Sequence, residues 1–95
     1  AVGAGRIGAL WVMATNPAVS MPDGSSVRDA LRRAPFLVVS DCVAGTDTAE
    51  IAHVRLPAVG WAEKDGTVTN SERVISRQRA FLPPAGEARP DWWIV

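Results

Sequence analysis

Two uninterrupted apolar runs, residues 9–14 (Ala-Leu-Trp-Val-Met-Ala) and 36–39 (Phe-Leu-Val-Val), constrain this chain more than anything else in it. Neither run alternates apolar with polar residues. Each therefore reads as a strand covered on both faces, the pattern of a parallel sheet. Parallel neighbours cannot be joined by a tight turn and need a crossover, usually a helix. The segment between the runs supplies one. Asp23, Ser25 or Ser26 can cap a helix running to about Arg33, with Val27, Ala30 and Leu31 on one apolar face. Arg28, Arg32 and Arg33 form its solvated face, and Pro35 stops it. A second crossover follows at residues 46–52, a short capped helix with acids in its first turn. Residues 53–57 make a third, weaker strand.

The expected fold class is therefore α/β: a three-layer αβα arrangement with a Rossmann-like parallel sheet built as a right-handed βαβαβ unit. The parallel strands are expected near residues 9–14, 36–40 and 53–56, with an added β-hairpin across residues 67–77. Ninety-five residues suffice for one domain with a modest core, and residues 1–95 are read as a single domain.

The hairpin belongs to the least bland stretch, residues 60–73 (Gly-Trp-Ala-Glu-Lys-Asp-Gly-Thr-Val-Thr-Asn-Ser-Glu-Arg). Glu63-Lys64-Asp65-Gly66 reads as a turn, with Asp-Gly its strongest signal. Residues 67–69 then read as a strand, Asn70-Ser71-Glu72 as a second turn, and 74–76 as a second strand. Residues 81–86 form an extended linker, and Pro90 lies near the first turn of a last helix.

Net charge is zero, which argues against nucleic acid as the main partner, because phosphate binding needs an excess of Lys and Arg on one face. No apolar run approaches the ~18 residues of a membrane span, and no signal peptide is expected. The single cysteine, Cys42, rules out an internal disulfide and points to a reducing compartment, hence a cytoplasmic location. The start without Met and the apolar end at residues 91–95 suggest a piece cut from a larger protein, with Trp92 and Trp93 packed on the remainder.

Several residues can carry chemistry. Ligands of open α/β sheets bind at the carboxyl ends of the strands. Pro17 pushes Asn16 out of the helical region, so the first run is followed by a fixed turn. Asn16 offers both a donor and an acceptor there, or else only holds its own turn. Ser40 and Asp41 end the second run. The Asp41 carboxylate could take ribose hydroxyls or a guanine edge, or serve as an N-cap or Asx-turn. Lys64 suits an anionic ligand, its alternative being a charge on a solvated hairpin. His53 has no Cys or His partner at metal spacing and reads as structural or exposed, and Cys42 as a packed small hydrophobe. Residues 3–8 match GxGxxG letter for letter, but they precede the first strand instead of following one. The motif is rejected as a dinucleotide fingerprint and read as a helix end, with Gly5 near a C-cap position. No catalytic or metal-ligating residue is assigned.

From residue 9 onward the chain resembles the molybdopterin oxidoreductases that carry a bis-molybdopterin guanine dinucleotide cofactor, and among them most the bacterial assimilatory nitrate reductases. The likeness rests on residues 10–22, on 38–41 (Val-Val-Ser-Asp), on 56–58 (Leu-Pro-Ala), on 61–73, and on 84–93. It implies part of the dinucleotide-fold domain of a larger enzyme that reduces nitrate to nitrite at molybdenum, with electrons arriving through a 4Fe-4S cluster outside this chain. It also implies cofactor contacts at Asn16, Ser40, Asp41, Lys64 and Asp91, the last of which no local pattern singles out. The partners implied are the remaining domains of the parent enzyme and nitrate. The family's cluster cysteines and molybdenum-ligating cysteine have no counterpart here, and Val74 stands where a second arginine is expected after Arg73. Periplasmic nitrate reductase, formate dehydrogenase and a free-standing nucleotide-binding module without redox activity remain as alternatives.

Overall fold

The computed structural model describes residues 1–95, which divide into two compact units, Ala1–Pro57 and Ala58–Val95.

In the first unit a single 3-10 turn, Val2–Ala4, is closed by Gly5. Its φ of 69° is a left-handed value that glycine adopts without steric cost, and its N–H donates to the Val2 carbonyl at 2.9 Å. The GxGxxG glycines thus lie before the first strand, as a helix end. Strands β1 (Leu10–Met13), β2 (Leu37–Asp41) and β3 (Val54–Pro57) then form a parallel sheet in the order β1-β2-β3. Leu10 lies opposite Leu37 in the first pair, and Val38 opposite Val54 in the second. Two of the strands fall on the apolar runs, and β3 falls on the weaker segment expected at residues 53–57.

The crossovers are helical. Helix α2 (Gly24–Arg32) begins at Asp23, whose carboxylate accepts from the Ser26 N–H at 3.5 Å and the Ser25 hydroxyl at 3.0 Å. The Ser26 and Ser25 hydroxyls and the Ser26 N–H hold the Asp23 carboxyl below its ordinary value of 3.8. Helix α3 (Asp47–Glu50) is capped by Thr46, whose hydroxyl accepts from the Ala49 N–H at 3.2 Å. One helix is absent from the sequence reading. Pro17, expected only to fix a turn, opens the one-turn helix α1 (Pro17–Ser20). Its locked φ suits the first helical position, where its missing N–H costs nothing.

The core lies between one face of the sheet and the helices. Val12, Leu37 and Val39 pack with Ala18 of α1, Leu31 of α2 and Ala49 of α3, and Leu10 and Val27 close its edges. Strand alternation places Trp11, Met13, Val38 and Ser40 on the opposite face. His53 ties the start of the sheet together, as its structural reading expects: its Nδ1 accepts from the Leu37 N–H at 3.0 Å, and its own N–H donates to the Leu37 carbonyl at 2.9 Å. Cys42 is a free thiol, and it is exposed instead of packed. It follows the last residue of β2, beyond the segment whose alternate residues the core covers.

The second unit holds a 3-10 turn (Trp61–Glu63), the antiparallel hairpin β4 (Gly66–Thr69) and β5 (Ile75–Gln78), and the short helix α4 (Asp91–Ile94). Residues 63–66 do not make a separate turn: Glu63 ends the 3-10 turn and Gly66 is already the first residue of β4. The chain reverses at residues 70–73, where the Asn70-Ser71-Glu72 turn is expected. There the Arg73 N–H donates to the Asn70 carbonyl at 3.0 Å and the Asn70 side chain accepts from the Val74 N–H at 3.0 Å. Arg73 has φ 65°, the left-handed residue that ends a type I turn with a bulge. Val74 therefore belongs to the reversal through its backbone. The segment after the hairpin is extended, and returns so that Ala58 and Arg89 form a parallel bridge.

No helix is long and apolar enough to cross a membrane.

Candidate functional site

Asn16 lies just beyond the carboxyl end of β1 and Asp41 is the last residue of the adjacent parallel strand β2, the position at which open α/β sheets take ligands. The chain leaves β1 through Ala14, which holds φ 52°, an uncommon value for a residue with a Cβ. Its N–H donates to the Ser40 carbonyl at 3.0 Å, so the β1–β2 ladder itself pins this residue in place.

Asn16 does more than hold its own turn. Its side-chain Oδ1 accepts from both the hydroxyl and the backbone N–H of Thr48, at 2.6 and 3.2 Å. The Thr48 hydroxyl in turn accepts from the Ala18 N–H at 3.1 Å. Thr48 is fully buried. Asn16 thus joins α1 to the start of α3, and its amide Nδ2 makes no hydrogen bond within the chain. No buried side-chain nitrogen or oxygen lacks a partner, so that amide is open to solvent.

Asp41 makes an Asx-turn: one carboxylate oxygen accepts from the Val43 N–H at 3.1 Å. The other oxygen has no partner within the chain. Ser40 differs in kind. It is 1% exposed, and its hydroxyl accepts from the Trp11 indole N–H at 2.7 Å, across the two strands. Its part in the strand end is to fix the Trp11 ring.

In the second unit, Lys64 follows the 3-10 turn whose Glu63 carboxylate accepts from the Gly60 N–H at 2.8 Å. The Lys64 ammonium lies 3.2 Å from Asp91, the first residue of α4, with about a third of each side chain exposed (30% and 35%). The two charged residues of this unit that the resemblance singles out are therefore brought into contact, although 27 positions separate them. An ammonium has three donors, and within the chain Lys64 uses one. At this exposure the pair is worth roughly 0–1 kcal/mol to the fold. In the same unit the Arg89 guanidinium sits 5.8 Å from the centre of the Trp93 ring. No three His, Cys, Asp or Glu side chains come together as a group able to hold a metal ion.

Thr48 and Trp11 are the residues that sequence reasoning missed. Each acts through a partner about thirty positions away, and no local pattern marks such a pairing.

The three-stranded parallel sheet with its helical crossovers, and beside it in sequence a hairpin-bearing unit, define an α/β protein. The particular family follows from similarity along the whole chain. Residues 1–95 match the molybdopterin oxidoreductase family, and the chain belongs to it. It is 62% identical to a nitrate reductase of Klebsiella oxytoca and 54% identical to one of Shewanella frigidimarina, in both cases over all 95 residues. It is also 50% identical over 86 residues, 90% of the chain, to the F420-dependent formate dehydrogenase subunit alpha of Methanocaldococcus jannaschii. The chain spans only 11%, 10% and 13% of the lengths of these relatives. Membership implies a molybdenum–pterin cofactor for the family's enzymes.

Proposed function

We propose that this chain is part of the catalytic subunit of an assimilatory nitrate reductase and helps to hold a bis-molybdopterin guanine dinucleotide cofactor. The observation that carries the reading is the 62% identity to a nitrate reductase over every residue of the chain. The likeness of residues 65–70 and 75–79 to assimilatory enzymes supports the finer assignment. The reaction takes nitrate, two electrons and two protons to nitrite and water. Molybdenum in the bound cofactor supplies the oxygen-atom chemistry, and a 4Fe-4S cluster in another part of the parent enzyme delivers the electrons. The partners are the remaining domains of that enzyme and nitrate, and the location is cytoplasmic.

The residues present fit such a group. Asn16 keeps N–H donors free, Asp41 keeps a carboxylate oxygen free for hydroxyl or guanine N–H donors, and Lys64 keeps two ammonium donors for a phosphate. Asp91 orients Lys64 by its ion pair. Ser40 contributes by fixing Trp11 beside the strand end. Each unit presents its own part of this set.

A second reading, formate oxidation, rests on the 50% identity to a formate dehydrogenase subunit. The test is an assay of the purified full-length enzyme with a reduced viologen and nitrate, and separately with an oxidised viologen and formate. The proposal expects nitrite to accumulate and formate to go unconsumed. Formate-dependent reduction of the dye without nitrite formation would overturn it in favour of the second reading.

A further inference from the structure

We infer that Thr48 is a positioning residue: it locks the Asn16 carboxamide so that its NH2 group, and never its oxygen, faces the ligand. The carboxyl end of β1 therefore selects a hydrogen-bond acceptor on the cofactor. The inference rests on the reading that Asn16 contacts that cofactor.

An asparagine amide can usually turn over and offer either its oxygen or its nitrogen. Here that freedom is removed. The Thr48 backbone N–H can only donate, and it lies 3.2 Å from the Asn16 side chain. The atom facing it must be the oxygen. The Thr48 hydroxyl fits the same orientation: it accepts from the Ala18 N–H at 3.1 Å and keeps its own proton for Asn16 Oδ1 at 2.6 Å. Two donors from one residue thus converge on one oxygen. Ala18 and Thr48 are 1% and 0% exposed, so water cannot replace either contact. Turning the amide over would set its NH2 against the Thr48 backbone N–H, donor against donor, and leave that buried N–H unmatched. Nδ2 is the atom left over, unpaired and open to solvent. A carbonyl, ring nitrogen or phosphate oxygen can be taken there, and a hydroxyl or amine only through its lone pair.

The test uses the full-length enzyme, with molybdenum and acid-released guanosine monophosphate per mole of protein as readouts, and the melting temperature of cofactor-free protein as control. Thr48→Val keeps the shape and removes the hydroxyl, and should lower retained cofactor by about tenfold. Thr48→Ser restores the hydroxyl and should restore retention. Asn16→Asp keeps an oxygen for Thr48 and deletes the outward donor, so cofactor should be lost while the melting temperature holds. The double variant Asn16→Ala with Thr48→Val should retain no less cofactor than Asn16→Ala alone. If Asn16→Ala loses cofactor while Thr48→Val keeps the wild-type amount, the positioning role falls and the cofactor-contact reading stands. If Asn16→Ala itself keeps the wild-type amount, both fall. Should Thr48→Val fail to fold, Asn16→Asp decides: wild-type retention in that variant overturns the donor assignment.

Discussion

Ala14 marks the exit from β1 and sits in the left-handed region at φ 52°, a conformation that costs an L-residue roughly 1–2 kcal/mol. It is held there by its hydrogen bond to the Ser40 carbonyl and by the need to turn the chain toward Asn16. A β-branched side chain tolerates this region worse than alanine. Ala14→Val should therefore loosen the strand end, with hydrogen exchange of the peptides covering residues 10–16 faster by about tenfold. Unchanged exchange there would mean that the backbone relaxes without cost. At this scale the sequence is only half legible. Pro17 and the apolar run announce that Asn16 ends a strand. Nothing local announces that its side chain will be claimed by Thr48 32 positions later, or that Ser40 will be covered and bonded by Trp11.

Elements were the most readable level, because apolar runs and capping residues are local signals. Helix α2 begins at Asp23 and stops just before Pro35, as its capping and breaker residues require. The hairpin reversal is equally readable: it falls at the Asn70-Ser71-Glu72 turn and is closed by the Asn70 side-chain bond to the Val74 N–H. The Asp-Gly signal misleads instead, because Gly66 opens β4 and the Asp65 carboxylate accepts from the Ala80 N–H at 3.3 Å. The α2 cap carries a pH prediction. Hydrogen bonds from Ser26 and Ser25 depress the Asp23 carboxyl below 3.8. A carboxyl depressed in the folded state stabilises it above the unfolded value and loses that contribution as pH falls through the folded value. Protection of residues 24–32 from exchange should thus drop below pH 3.8, relative to Asp23→Asn, in which the cap persists and does not titrate. Equal pH profiles for the two proteins would remove Asp23 as the titrating cap.

Over the whole molecule, family similarity and physics contribute different things. The parallel sheet follows from unbroken apolar strands and helical crossovers, and a similar argument would hold for many unrelated chains. Membership in the molybdopterin oxidoreductases comes from the match over residues 1–95. The division into units Ala1–Pro57 and Ala58–Val95 was not legible in composition, because no Gly- or Ser-rich linker marks residue 57. Large apolar side chains of the second unit stand open, Trp61, Phe81 and Trp92 among them. They give the remaining domains of the proposed parent enzyme a surface to cover.

The central claim, that this chain holds a guanine dinucleotide cofactor, is tested most directly at Lys64. The ion pair with Asp91 is worth at most about 1 kcal/mol to the fold, whereas a charge-assisted contact to a phosphate is worth roughly 1.5–3 kcal/mol. The measurement is molybdenum and acid-released guanosine monophosphate per mole of purified full-length Lys64→Ala, beside wild type. Cofactor affinity should fall by about one to two decades, with the melting temperature of the cofactor-free protein nearly unchanged. Full molybdenum and guanosine content in Lys64→Ala would contradict the account and leave Lys64 as a surface charge paired to Asp91.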